Sequence, residues 1–302
     1  MKDNKILITG IAKNCSNFLP NILKNITSLN QIFTELHFLF VENDSTDNTK
    51  EILNNFKNET QNVEIINLDG LDFIKQRTKR IEIARNSYLE NLKSDQKFND
   101  FDFLLILDLD DININFDFCS ILESISFLKN NETHAAVFPN QLKYYYDLWA
   151  LRHKTLCPDD IFLDLAKIVY KEKSLNDEII KNSLIKKIAP LEISSSDKIF
   201  EVDSAFGGLG IYKMNYVLNN PIPYIGIKIV KFLDNLNKPI YSQAEICEHI
   251  SFNNGIKSLG GRLFINPSLI NNHKCLRVPL LTAFTKFYKN FNNDFLFKIH
   301  KT

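Results

Sequence analysis

Four short apolar runs in the first third of the chain, separated by helical patterns, constrain the fold more than any other feature. Lys5–Thr9, Leu36–Val41, Val63–Leu68 and Phe103–Leu107 have the length of buried strands. Between them apolar residues recur at helical spacing: Phe18, Leu19, Ile22, Leu23 and Ile26, then Ile52, Leu53 and Phe56. A longer helix is expected over residues 76–92, with Ile81, Ala84, Tyr88 and Leu92 inward and Arg77, Arg80 and Arg85 around them. Strands alternating with helices predict an α/β fold built on a mostly parallel sheet flanked by helices. Ligands of such sheets bind beyond the carboxyl ends of the strands. Three of the four strand ends carry polar clusters, Ala12-Lys-Asn14, Glu42-Asn-Asp-Ser45 and Asp108-Leu-Asp-Asp111.

Composition removes several classes. The 302 residues are 44% hydrophobic and 24% charged, as in globular proteins. Lys+Arg and Asp+Glu both number 36, so no basic excess exists for wholesale nucleic-acid binding. The five cysteines include no CxxC pair, which argues against a zinc ribbon and suits a reducing cytoplasm. No apolar run approaches the roughly 18 residues of a membrane span. Ile6–Ala12, interrupted by Thr9 and Gly10, reads as a buried strand and not as a leader.

The later chain is less regular. Residues 112–135 read as helical, Ala135–Phe138 as a strand and residues 155–198 as a polar, helical insertion. Glu201–Tyr212 holds a glycine turn between apolar strands, Ile240–Phe252 reads as a helix, and Arg262–Ile265 as a last core strand. The tail 279–302 mixes Phe284, Phe287, Phe291 and Phe295 with Lys286, Lys289, Lys298 and Lys301. A basic amphipathic segment of this kind can lie on an anionic membrane surface or close over a core.

Asp108-Leu-Asp-Asp111 is the first candidate for chemistry. Two carboxylates two residues apart on an irregular strand end can face a hard divalent cation, Mg²⁺ or Mn²⁺. The plain alternative is that they cap the helix that follows.

Val41-Glu-Asn-Asp-Ser-Thr-Asp-Asn-Thr49, Ile83-Ala-Arg-Asn-Ser-Tyr-Leu89 and Leu105-Ile-Leu-Asp-Leu-Asp-Asp111 together resemble, in order, three segments of GT-A-fold nucleotide-sugar glycosyltransferases. The last resembles their metal-binding DxD motif. The gap between Asn86 and Asp108 is longer than in that pattern and predicts a lengthened loop around Lys93–Asp100. Tyr145-Tyr-Asp-Leu-Trp-Ala-Leu-Arg152 resembles a segment of fungal capsule-associated mannosyltransferases.

The resemblance implies one glycosyltransferase domain over 1–302, with a nucleotide-binding half at 1–111 and an acceptor-side half at 112–302. It implies donor contacts from Ala12, Asn14, Glu42, Asp44, Asn86 and Asp108, with Arg85 or Arg152 able to clamp the diphosphate. Asp108, Asp110 and His273 would hold Mn²⁺ or Mg²⁺. Glu248 is the implied base and Asp203 a second acceptor-side carboxylate, the acceptor being a glycan or lipid-linked molecule in surface polysaccharide synthesis. Each has a plainer reading: Arg85 as a solvated helix charge, Glu248 and His249 as an exposed pair, His273 as a loop histidine, Asp203 as a turn cap. The competing functions are a phosphohydrolase of the haloacid dehalogenase type, which also places DxD after a strand, and an inactive sugar-binding module.

Overall fold

The computed structural model describes residues 4–115, 117–142, 144–161, 163, 191–233 and 238–272. His273, the tail 279–302 and most of the 155–198 insertion lie outside the described residues.

The first half follows the expected alternation. β1 (Lys5–Ala12), α1 (Leu19–Thr27), β2 (Glu35–Asn43), α2 (Thr49–Glu59), β3 (Val63–Leu68), α3 (Arg77–Ser94) and β4 (Phe103–Asp108) come in that order. The lengthened connection before β4 is a 3₁₀ turn, Gln96–Asp100. Then follow α4 (Phe118–Lys129), β5 (His134–Gln141), β6 (Phe200–Val202), β7 (Leu209–Lys213) and α5 (Met214–Leu218). β8 (Ile227–Leu233), β9 (Pro239–Glu245), α6 (Glu248–Ser258) and β10 (Arg262–Asn272) complete the described elements.

Eight strands form one sheet in the order β3-β2-β1-β4-β7-β5-β10-β6. Pairing is parallel from β3 through β4 and between β5 and β10; β7 runs antiparallel to both its neighbours and β6 antiparallel to β10. This is the mostly parallel α/β sheet flanked by helices that the sequence predicts. Strands of such a sheet are buried on both faces, which is why they read as unbroken apolar runs. In β4, Leu104 and Ile106 enter the core on the α3 face, whereas Phe103, Leu105 and Leu107 enter the core that α1, α2 and α4 cover.

Two expectations change. The helix read over 112–135 begins only at Phe118, because a 3₁₀ turn at Asp111–Asn113 intervenes and Asp117 caps the helix through the Ser120 N–H. The helix read over 240–252 begins at Glu248, and Pro239–Glu245 is instead one strand of an antiparallel hairpin with β8. Pro239 and the aromatic Tyr241 suit an edge strand. Among the described residues no helix is long and apolar enough to cross a membrane.

The hairpin also completes α3. Gln76 supplies no side-chain cap there, and the Glu245 carboxylate, reaching from β9, accepts from both the N–H and the hydroxyl of Thr78 at 2.8 Å. A carboxylate at a helix N-terminus satisfies an orphan N–H and complements the helix dipole. Replacing it, Glu245→Ala, is expected to cost about 1 kcal/mol, read as a lower urea midpoint, with Glu245→Gln falling between the two.

Candidate active site

At the carboxyl edge of β1 to β3 the loops are stitched to one another. Asn14, at φ 50°, donates its N–H to Ser45 Oγ (3.0 Å) and accepts the Thr46 N–H at 2.8 Å. Glu42 is fully buried, accepts the Ser45 N–H (2.9 Å) and pairs with Lys50 at 3.3 Å. Asp44 accepts the N–H groups of Gly70 (2.7 Å) and Asp72 (3.1 Å), and the Gly70 bond leads in holding its carboxyl below the ordinary range. Ala12 is buried at the end of β1. These loops line one side of a cleft whose floor is the end of β4.

Asp108 closes β4, and its N–H donates to the Gly208 carbonyl at 2.8 Å. Gly208 sits at φ +83°, and a Cβ there would lie 2.5 Å from Ile112 Cγ2, so glycine is required twice over. The Asp108 carboxylate accepts from Arg85 Nη2 at 2.9 Å, while Arg85 Nε donates to Glu248 Oε1, also at 2.9 Å. Arg85 is 3% exposed, and its guanidinium lies over the Phe206 ring at 4.9 Å and the Tyr224 ring at 5.8 Å. Burial works against its charge, but the facing groups of Tyr88, Glu248 and Asp108 outweigh burial and keep it cationic. The solvated-charge reading of Arg85 is therefore excluded.

Glu248 and His249 open α6 and are both buried, so they are no exposed pair. The His249 ring stacks on Phe206 at 3.6 Å between centroids, and its Nε2 lies 3.6 Å from Glu248 Oε1. Desolvation, then the Arg85 charge, lowers its pKa well below the usual range, so the ring is neutral.

Further acidic groups surround this bridge. Asp110 stands exposed at the lip, and its carboxylate accepts the Ile112 N–H at 3.2 Å. Withdrawal of water by the cleft walls, then the Asp108 charge, push the Asp110 carboxyl upward. Asp108 moves the same way through desolvation, against the pull of Arg85. Among the described residues no three His, Cys, Asp or Glu side chains converge into a closed metal cage. The oxygen-only pair of Asp108 and Asp110 fits a hard cation that leaves positions for substrate phosphates, and its crowded negative charge is what such a cation would relieve.

Other expected residues lie apart. Asn86 exchanges hydrogen bonds with the backbone of Tyr224 (2.9 and 3.0 Å) and serves to hold that loop. Arg152 pairs with Asp160 at 2.8 Å and donates to the carbonyls of Trp149 and Leu151. Asp203 is exposed and pairs with Lys257 near the far end of α6. Lys257 lies nine positions along the helix from Glu248, a rise of about 13.5 Å.

Two participants escaped the sequence reading as site residues. Arg77 is exposed at the first turn of α3, makes no hydrogen bond to another described residue, and its charge acts on both Asp108 and Asp110. Asp147 accepts the N–H groups of Gly207 (2.9 Å) and Ala150 (3.2 Å) and faces the charges of Asp108 and Glu248. The signal for Asp147 was available: an acid inside an aromatic run needs partners when buried.

The profile of the family described as Cryptococcal mannosyltransferase 1 matches residues 5–227. The chain belongs to this family. The resemblance to glycosyltransferases read from the motifs thus holds at the family level, and the Tyr145–Arg152 segment lies within the matched residues. An uncharacterized glycosyltransferase of Mycoplasma pneumoniae, the MG025 homolog, is 29% identical over 91 residues, which are 28% of this chain and 29% of that one. The structure of S. aureus TarS 1–349 aligns at a TM-score of 0.46 and 14% identity over 89% of this chain and 60% of TarS 1–349. Mannosyltransferase PcManGT from Pyrobaculum calidifontis, in complex with GDP-Man and Mn²⁺, aligns at 0.48 and 12% identity over 92% of this chain and 59% of its own. The chain spans less than two thirds of each of these three relatives.

Two measurements probe the site's electrostatics. Arg85→Met strands the buried Glu248 and the half-buried Asp108 carboxylates and is expected to cost about 3 kcal/mol in urea unfolding, with part recovered by adding Asp108→Asn and Glu248→Gln. Burial, against the hydrogen bonds from Gly207 and Ala150, raises the Asp147 pKa to about 6. The folded state therefore holds this proton more tightly than the unfolded chain, and stability is lost as pH rises from about 4 toward 6. Asp147→Asn is expected to flatten that slope in unfolding midpoints measured across the interval.

Proposed function

We propose that the chain moves a sugar from a nucleotide-sugar donor to a glycan or lipid-linked acceptor, with Mn²⁺ or Mg²⁺, in surface polysaccharide synthesis. The supporting observation is the Arg85 bridge, which joins the DxD aspartate at the end of β4 to the first carboxylate of α6. A donor site and an acceptor-side carboxylate thereby share one buried cation.

In this reading Ala12, Asn14, Glu42 and Asp44 shape the loops that receive the base and ribose. Asp108 and Asp110 hold the cation, with His273 as a further ligand. When bound, that cation supplies Lewis-acid stabilisation of the departing diphosphate. Arg77, open at the lip, is better placed than Arg152 to grip the diphosphate with two parallel N–H groups. Arg85 aims Glu248, and Glu248 takes the proton of the acceptor hydroxyl as its oxygen attacks the anomeric carbon. Asp203, at the far end of α6, suits an acceptor contact better than proton transfer. A cytoplasmic location with peripheral membrane contact through residues 279–302 completes the proposal.

Calorimetry with a nucleoside diphosphate and Mn²⁺ tests the donor half: Asp110→Ala is expected to lose the Mn²⁺-dependent affinity while keeping its unfolding midpoint. Unchanged affinity in that folded variant removes the DxD assignment. For the base, Glu248→Gln is expected to lower turnover by about 10²–10⁴-fold with donor affinity retained. Turnover of a generic phosphomonoester without nucleotide would favour the phosphohydrolase. Donor binding without turnover of any sugar would favour the inactive module.

A further inference from the structure

The β8–β9 hairpin takes no part in the chemistry above, yet it stands with large apolar side chains in solvent. Ile229 is 71% and Tyr241 62% exposed. Ile229 pairs with Gln243 and Lys231 with Tyr241, so alternation puts these four on one face of the ribbon. Lys231 is exposed on this face, and Lys228 is exposed on the opposite one.

The hairpin's base is fixed. The Ile246 N–H closes it on the Gly226 carbonyl at 2.9 Å. The Gly226 N–H donates to Glu82 at 2.8 Å, and Glu245 caps Thr78 from the other strand. A Cβ on Gly226 would lie 2.2 Å from the Thr78 carbonyl, so the ribbon's root abuts the first turn of α3. The turn that leads into α3 presents Phe73, 93% exposed, with Lys75 and Arg77 exposed beyond it. Of the acids beside Phe73, Asp72 pairs with Lys13, and Asp69 shares Lys50 with the buried Glu42. Exposed apolar groups and cations are thus carried both by the turn that leads into α3 and by the ribbon rooted on its first turn.

We propose that this surface, the β8–β9 ribbon together with Phe73, docks on an anionic lipid bilayer. Its chemistry fits that occupant: aromatic and aliphatic side chains for the headgroup boundary, and Lys75 and Lys231 for lipid phosphates. A second copy of the chain fits less well. Edge-to-edge pairing of two such ribbons sets Lys228 and Lys231 of one beside those of the other, and like charges across paired strands are unfavourable. The docking surface stands independently of the reaction assigned above and of the tail 279–302.

The full chain is to be sedimented with phosphatidylglycerol-containing vesicles and with pure phosphatidylcholine vesicles. Binding to the anionic vesicles that weakens with salt is expected. Ile229→Glu combined with Tyr241→Glu is expected to lower that binding at least about tenfold, with Lys75→Ser combined with Lys231→Ser reducing it less and weakening its salt dependence. Because Trp149 is the single native tryptophan, Tyr241→Trp adds a reporter that is expected to shift blue on anionic vesicles and to be quenched by brominated lipid. That reporter decides the matter even if the glutamate pair disturbs the ribbon. Four results would overturn the proposal: no vesicle binding, binding undiminished in the glutamate pair, an unshifted and unquenched Tyr241→Trp reporter, or a dimer in sedimentation velocity that the glutamate pair dissolves.

Discussion

A guanidinium with 3% exposure between two carboxylates is the interaction on which the geometry of the cleft rests. Arginine suits the position because its planar fork can donate to Asp108 and Glu248 in different directions at once. Lysine would offer a point charge and no such plane. The aromatic faces of Phe206 and Tyr224 fill the space that water would otherwise occupy beside it. Desolvating three charges together is expensive, and stripping one away is more so, because the remaining two then lack compensation. The bridge therefore fixes the end of β4 and the start of α6 in one relative position and tolerates little drift.

The supporting contacts radiate from there. Gly208 pins the Asp108 backbone, Asn113 adds its side-chain amide to the carbonyls of Asp108 (2.8 Å) and Gly208 (2.6 Å), and Asp147 fixes Gly207. Across the cleft, Asn14, Glu42 and Asp44 tie the ends of β1, β2 and the turn after β3 into one surface. Polar groups that might have pointed at solvent are spent on backbone N–H donors, so both walls are organised in advance of any ligand. Organisation of this kind lowers the entropy lost on binding.

The sequence made the first half legible because its strands are buried on both faces and its helices on one, so the two periods hardly overlap. It announced the end of β4 through Asp108 and Asp110. It could not announce that Arg85 faces Glu248, since their pairing joins positions 163 apart. Nothing in the helical spacing of α3 says which of Arg77, Arg80 and Arg85 turns inward: Arg80 reaches the Ile74 carbonyl, Arg77 faces the lip, and only Arg85 is buried. The hairpin was misread because Ile240, Ala244 and Cys247 imitate a helical stripe, and the partner strand that settles the matter lies a few residues upstream. Asp147 was legible only in part: an acid set among tyrosines signals a need for partners, but the glycine turn that supplies one lies 60 residues further along the chain.

The distance along the chain between the partners of the bridge has a consequence for synthesis. A ribosome adds about 5–20 residues per second, so Glu248 emerges some 8–30 s after Arg85. Through most of that interval α3 carries a cation destined for the interior, with neither its second carboxylate nor the Tyr224 ring yet made. The nascent first half can pair β1 with β2 and β4 but must leave this face of α3 wet. Closure of the cleft is then one of the last folding events, and a chain released early offers α3 as an exposed, half-apolar surface for chaperones to hold.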